Sequence, residues 1–245
     1  MMRFKTPFVV TIVAALMAVM PAPSLAQDYA AIVAAPDRSD ADRQTDQRRD
    51  PAKLLAFTGV KSGMSVLDMG AGGGYSTELM ARGVGTSGKV YAQDFETSAR
   101  AKERFDARMK TDAMKNVTVL ARPFDDPLPS GVGNLDLITF FFFYHDTTYM
   151  TVDRAVMNKK LYDALKPGGV LVIADHSAKA GSGTSVGKTL HRIEESTLKS
   201  EVLTAGFKLA AEADFLRHPE DTREERIFGS KTPVDEFVLK FQKPN

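Results

Sequence analysis

Val66-Leu-Asp-Met-Gly-Ala-Gly-Gly-Gly-Tyr75 is the stretch that decides the fold. Its apolar start reads as a strand, Met64 to Met69, entered through the turn Lys61-Ser-Gly63. Its end opens a helix from Tyr75 to about Arg82. Between them stands Asp68-x-Gly70-x-Gly72-x-Gly74. Glycine lets a chain turn sharply and brings backbone amides against a ligand with no Cβ in the way. In open α/β sheets such a strand–turn–helix junction lies at the ligand-binding edge. A dinucleotide fingerprint would need glycine where Tyr75 stands, and a phosphate-binding loop would need a following Gly-Lys-Ser/Thr, so neither applies.

Outward from this turn the chain alternates. Val90–Gln93, Val117–Ala121, Leu135–Tyr144 and Val170–Ala174 read as further strands, with helices over Thr97–Thr111 and Val152–Leu165. Lys166-Pro-Gly-Gly169 should stop the second of these helices. His176–Lys188 reads as a loop, Arg192–Thr204 as a helix, and Phe207–Leu216 and Val234–Phe241 as a closing pair of strands. The order predicts one parallel-sheet α/β domain. Upstream, Pro51–Phe57 opens a helix on proline. Asp37–Asp50, with five Asp and four Arg, reads as a solvated helix or linker, a lid over a ligand being the alternative.

The 245 residues carry a net charge of +1 and no cysteine, which excludes disulfides, thiolate metal sites and a cysteine nucleophile. Near neutrality gives no electrostatic case for nucleic acid. The start has the three parts of an export leader: Arg3 and Lys5, an apolar run from Phe8 to Met20, and Ser24-Leu-Ala26 before Gln27. The run is short of the ~20 residues of a membrane-spanning helix. Cleavage after Ala26 is expected, giving a periplasmic or secreted protein with no membrane span. The chain then divides into a signal peptide (1–26), a charged segment (27–50) and a domain (51–245).

Asp94, just past the second strand, could accept hydrogen bonds from both hydroxyls of a ribose. Asp68 could hold an ammonium or order the glycine turn. Together they suit a nucleoside with a positively charged tail.

Asp68-x-Gly70-x-Gly72-x-Gly74, Asp94 and Leu165-Lys-Pro-Gly-Gly-Val-Leu-Val-Ile-Ala-Asp175 resemble class I S-adenosylmethionine-dependent methyltransferases. The resemblance spans about Leu54 to Phe241. It implies a Rossmann-like, seven-stranded, mostly parallel sheet with helices on both faces and an antiparallel last strand. Tyr144-His-Asp146, His191-Arg-Ile193 and Leu216-Arg-His-Pro-Glu-Asp221 are further similar to bacterial predicted methyltransferases that carry signal peptides. The resemblance implies S-adenosylmethionine as cofactor. Gly70, Ala71, Gly72 and Gly74 would lie beside it, with Asp68 at the head of the turn. Asp94 would bind its ribose, Phe95 would line its adenine, and Asp125 would take the adenine amine. A small-molecule acceptor is expected. A nucleic-acid acceptor is not, because Phe143-Tyr-His-Asp stands where DNA amino-methyltransferases hold a flipped base.

The sulfonium already activates the methyl group, so positioning dominates, with a general base useful for a hydroxyl or amine acceptor. His145, then His191, then His176 are the candidate bases by their places after strands or at the same rim. Alternation sends Phe140, Phe142 and Tyr144 to one face and Phe141 and Phe143 to the other, and as the last two of the run Phe143 and Tyr144 are expected to reach the pocket, where an aromatic face could meet the sulfonium for ~0.5–2 kcal/mol. A divalent ion would draw on Asp146, Asp175 and His176. Asp146 lies further from its strand than catechol-type enzymes place such a ligand, and His176 stands where they have an amide, so no metal is expected. The alternatives are an exported, non-catalytic binding protein and, less well supported, a nicotinamide oxidoreductase, against which Tyr75 argues.

Overall fold

The computed structural model describes residues 1–2, 27–94 and 98–245. All but the first two residues of the leader expected over 1–26, and the adenine contact expected of Phe95, lie outside the described residues. In chain order the elements are α1 (Tyr29–Val33), α2 (Asp40–Arg49), α3 (Pro51–Thr58), β1 (Ser65–Met69), α4 (Tyr75–Val84), β2 (Lys89–Asp94), α5 (Ala99–Arg108) and β3 (Val117–Ala121). They continue as β4 (Leu135–Phe141), α6 (Arg154–Ala164), β5 (Leu165–His176), α7 (Gly187–Leu190), α8 (Glu195–Thr204), β6 (Lys208–Ala213) and β7 (Glu236–Gln242). No helix among the described residues is long and apolar enough to cross a membrane.

The seven strands form one sheet in the order β3-β2-β1-β4-β5-β7-β6. The first five are mutually parallel, and β7 runs antiparallel to both β5 and β6. This is the expected Rossmann-like architecture. The strand order reverses between β1 and β4, so a crevice opens beyond their carboxyl ends, where Asp68 and the glycine turn sit.

The core explains why these strands read as nearly continuous apolar runs. Val66 of β1 and Leu137 of β4 join a cluster on one face, with Leu79 and Val84 of α4. Leu67 and Ile138, one residue on, join the cluster on the other face, with Leu161 of α6 and Phe241 of β7. A strand covered on both faces gains from an apolar side chain at every position.

Three elements depart from expectation. β4 ends at Phe141, because Phe142 takes a left-handed φ of 58° and Tyr144–Thr148 form a 3-10 turn. The last helix begins at Glu195 rather than Arg192, since Ile193 bridges to Ser177. Lys166-Pro-Gly-Gly169 ends α6 but belongs to β5, whose pairing with β4 shifts register between Leu135 and Leu137.

The charged run upstream is not a solvated linker. Arg108 of α5 holds Asp42 of α2 through two hydrogen bonds of 2.8 Å and also pairs with Glu78 of α4. Arg38 grips Asp46 in the same two-pronged way, at 2.6 and 2.8 Å. Planar guanidinium–carboxylate forks fix direction as well as distance. The Arg108 fork docks α2 against α4 and α5, and Asp46 also accepts from the Tyr75 hydroxyl at the start of α4.

Candidate active site

Asp68 ends β1 with its side chain fully buried. Its carboxylate accepts from Ser76 Oγ at 2.9 Å and from Thr77 and Thr139 Oγ1 at 2.7 Å each. Burial still raises its pKa above the usual aspartate value. Of the two roles foreseen, Asp68 orders the turn. It ties the first residues of α4 to β1 and β4, through side-chain hydroxyls rather than backbone amides.

The turn's backbone is set by β2. Gly70 N–H donates to Gln93 Oε1 at 3.1 Å, Ala71 N–H to the Gln93 carbonyl at 2.9 Å, and Gly72 N–H to Asp94 Oδ2 at 2.9 Å. Gly70 and Gly72 are left-handed, at φ 64° and 52°. A Cβ on Gly70 would stand 2.9 Å from the Phe143 ring. At Gly72 it would meet nothing nearer than 3.8 Å, and would project into open space. That space belongs to a cleft of about 860 Å³ bounded by α2, the glycine turn, α5 and Phe141–Phe143. Arg49 of α2 forms part of its wall, lying 4.4 Å over the Phe142 ring and 5.3 Å over that of Tyr75. Its Nε is buried without a hydrogen-bond partner, and burial pulls the guanidinium down to about 10.

A second group of polar side chains, outside the lining of that cleft, follows β4 and β5. His145 is 2% exposed. Asp175, at the end of β5, accepts from its backbone N–H at 2.8 Å and lies 2.7 Å from its Nδ1. His145 Nε2 stands 3.2 Å from Asp146 Oδ1, and His191 Nδ1 stands 3.1 Å from the same oxygen. Burial works against protonating His145, but Asp175 and Asp146 outweigh it and raise the imidazole to about 10. His176 is the opposite case: burial depresses it to about 3, with Glu236 Oε1 2.9 Å from its Nδ1.

These positions bear on a family. A model of the methyltransferase domain matches residues 60–215. The chain belongs to the methyltransferase-domain family. A S-adenosylmethionine-dependent methyltransferase from Aquifex aeolicus shares the fold with a TM-score of 0.60 at 21% identity, over 89% of this chain and 99% of that one. A putative methyltransferase from Bacillus halodurans gives 0.58 at 20% identity, over 79% and 98%. In sequence, demethylmenaquinone methyltransferase of Lactococcus lactis is 33% identical over 51% of this chain and 47% of its own length. The ubiquinone/menaquinone biosynthesis C-methyltransferase of Escherichia coli is 29% identical over 49% and 45%. The chain thus spans about half the length of these curated relatives. Within this methyltransferase family, S-adenosylmethionine is the donor to be fitted.

The residues present fit that donor: a backbone cradle that a Cβ would fill at Gly72, and a partnerless guanidinium nitrogen in the same wall. Gly70, Ala71, Gly72, Gly74, Asp68 and Asp94 gather at one junction, as the sequence implied. Asp125 does not join them. It accepts from Asp153 N–H at 3.3 Å, at the start of α6. Tyr144 does not reach the pocket either. It is fully buried, donating to Glu201 at 2.8 Å and accepting from Asn158 at 2.7 Å. The left-handed turn at Phe142 ends the strand before Tyr144, so Tyr144 is not its last residue as expected, and leaves Phe142 and Phe143 in the cleft wall. His145 gathers with Asp146 and His191, whereas Asp175 stands behind His145 at its Nδ1 and His176 pairs with Glu236.

Sequence reasoning missed Gln93 and Arg49. Gln93 carried a signal: an amide closing the expected strand Val90–Gln93, immediately before Asp94. Arg49 carried none, being one of four arginines in a charged run. In the His191-Arg-Ile and Leu216–Asp221 motifs, Arg192 and Asp221 tie loops together. Arg192, wholly buried, donates to Asp221 at 2.7 Å and to the Ser177 carbonyl at 3.0 Å, pinning the loop before β7 to the end of β5.

Proposed function

We propose that this chain transfers a methyl group from S-adenosylmethionine to a small-molecule acceptor. The observation that carries the reading is the Gly70–Gly72 backbone, held by Gln93 and Asp94 at the switch point of the sheet. The donor, when bound, supplies a sulfonium whose methyl group is open to in-line displacement. The protein's share is positioning. Asp68 and Gln93 hold the turn rigid, Arg49 offers its guanidinium to an anionic group, and Phe142 and Phe143 give the cleft an apolar wall. The quinone-biosynthesis names of the curated relatives make aromatic ring compounds the first acceptors to screen.

His145 is not poised as a general base, since a histidine held protonated to about pH 10 has no free lone pair at neutrality. The acceptor would therefore be one that ionises by itself or is polarised at the rim. Incubation with the donor and a panel of phenolic and quinol acceptors, followed by mass spectrometry, tests the proposal. Formation of the demethylated donor with an acceptor heavier by one methylene supports it.

A second reading is a non-catalytic binding protein, favoured by the burial of His145 between Asp175 and Asp146 and by the leader-like start, since the donor is made in the cytosol. Donor binding with no turnover across the panel would favour that reading.

A further inference from the structure

We propose that His145, Asp146 and His191 bind one divalent transition-metal ion, through two imidazole nitrogens and one carboxylate oxygen. This goes beyond the methyl-transfer reading and stands without it, because metal binding is measured with no methyl donor present.

The first ground is spacing. His145 Nε2 and His191 Nδ1 lie 3.2 and 3.1 Å from Asp146 Oδ1. Ligand atoms of the three residues all fall within 4.8 Å of one another. Nitrogen and oxygen ligands at 2.0–2.2 Å from a tetrahedral zinc ion are about 3.3 Å apart. The two measured edges match that value as they stand.

The second ground is the buried nitrogen. His145 Nε2 is shielded from water and has no hydrogen-bond partner of good geometry. Its other nitrogen is fixed by Asp175, which is itself fully buried and also accepts the His145 and His176 amides. A carboxylate behind the far nitrogen of a histidine orients the ring and raises its basicity as a ligand. Asp175 is thus a positioning residue, not a ligand, and His176, turned to Glu236, takes no part.

The third ground is how the chain delivers His191. Its φ of 55° and ψ of 51° place a non-glycine residue in the left-handed region at the end of α7. Strain of that kind persists where surrounding structure enforces it, and it clusters at functional sites. Gly187 allows the approach: a Cβ there would stand 2.1 Å from Thr148 Oγ1 and 3.0 Å from the His145 carbonyl. α7 therefore seats directly on the turn that carries His145 and Asp146.

Two imidazoles with one carboxylate suit zinc, cobalt or iron(II) better than magnesium or calcium, which prefer all-oxygen sets. Two neighbours modulate the site. Tyr149 O–H donates to Asp146 Oδ1. Arg226 Nη2 lies 3.1 Å from His191 Nε2. Arginine only donates, so Nε2 accepts there and Nδ1 carries the proton facing Asp146. Ion uptake at Nδ1 shifts that proton to Nε2 and turns the exposed Arg226 away, while His145 Nε2 gives its proton to the buffer. Arg226 therefore competes with the ion.

The test is titration of the purified, chelator-stripped full chain with Co²⁺, followed by Zn²⁺. The expected result is one equivalent of cobalt with visible ligand-field bands, abolished by zinc. His191→Ala and Asp146→Asn should each weaken binding at least ~10-fold, and Asp175→Asn should do so by ~10–100-fold. Arg226→Ala should bind as tightly as the parent or more tightly. His145→Ala removes a buried side chain and could unfold the turn, so the decision rests on half-buried His191, with a circular-dichroism melt to show the variant folded. No cobalt bands at millimolar metal, or unchanged affinity in folded His191→Ala and Asp146→Asn, would overturn the proposal.

Discussion

Gly70 and Gly72 share a left-handed backbone and differ in what surrounds them, which separates packing from conformation. Alanine at either position carries the strain of positive φ, about 1 kcal/mol. At Gly70 it also drives into the Phe143 ring, adding roughly 1–3 kcal/mol of overpacking. Chemical denaturation should therefore show Gly70→Ala clearly less stable than Gly72→Ala. Equal losses would mean that Phe143 yields freely. A second residue-scale prediction concerns Glu236 and His176. Burial raises Glu236 to about 7 and lowers His176 to about 3, against ordinary values of 4.5 and 6.5. Arg48, Arg49, Asp175, His145 and His218 are the other charged groups that act on this pair. Between pH 4.5 and 6.5 the unfolded chain carries a proton on His176 and the folded chain carries one on Glu236, so the pair adds no slope to stability. Below 4.5 the unfolded state binds the extra proton and stability falls. From 6.5 to 7 the folded state does, and stability falls as pH rises. In Glu236→Gln only the histidine contribution survives, so stability should decline as pH drops from 6.5. A stability–pH curve parallel to the parent's through that range would refute the pairing.

At the scale of elements, α2 behaves as a fastened lid. Removing Asp42 leaves the largely buried Arg108 with Glu78 and the Gly73 carbonyl, at a cost of about 1–3 kcal/mol. Asp42→Ala should speed tryptic cleavage at Arg43 and Arg48 and weaken donor binding. Cleavage at the parent's rate would show that α2 is held by other contacts. This lid was not legible in the sequence, because its partners Arg108 and Glu78 come from two distant helices and nothing in a charged run announces them. The strands were legible for the converse reason. Burial on both faces makes β1, β4 and β5 continuous apolar runs, and Val117–Ala121 coincides with the strand expected there. The end of β4 misled because alternation holds only while the backbone stays extended. One left-handed residue, Phe142, turns every later side chain, and so Tyr144 entered the core. The glycine cradle was legible because it is local. The His145–Asp146–His191 cluster was half legible: the first two are adjacent in sequence, but the approach of α7 depends on Gly187.

At the scale of the whole molecule, one sheet places two chemistries at one edge. The glycine cradle lies at β1, and the histidine–aspartate cluster lies past β4 and β5. The sheet order explains their proximity, since β1 pairs with β4 and β4 with β5. An exported enzyme would need its donor delivered outside the cytosol, so donor binding is the claim on which the rest depends. Isothermal titration calorimetry of the purified chain with S-adenosylmethionine and with its demethylated product tests it most directly. Saturable binding at one site is expected, lost when Gly72→Leu fills the cradle without unfolding the protein. Absence of binding by either compound, or undiminished binding in folded Gly72→Leu, would contradict it.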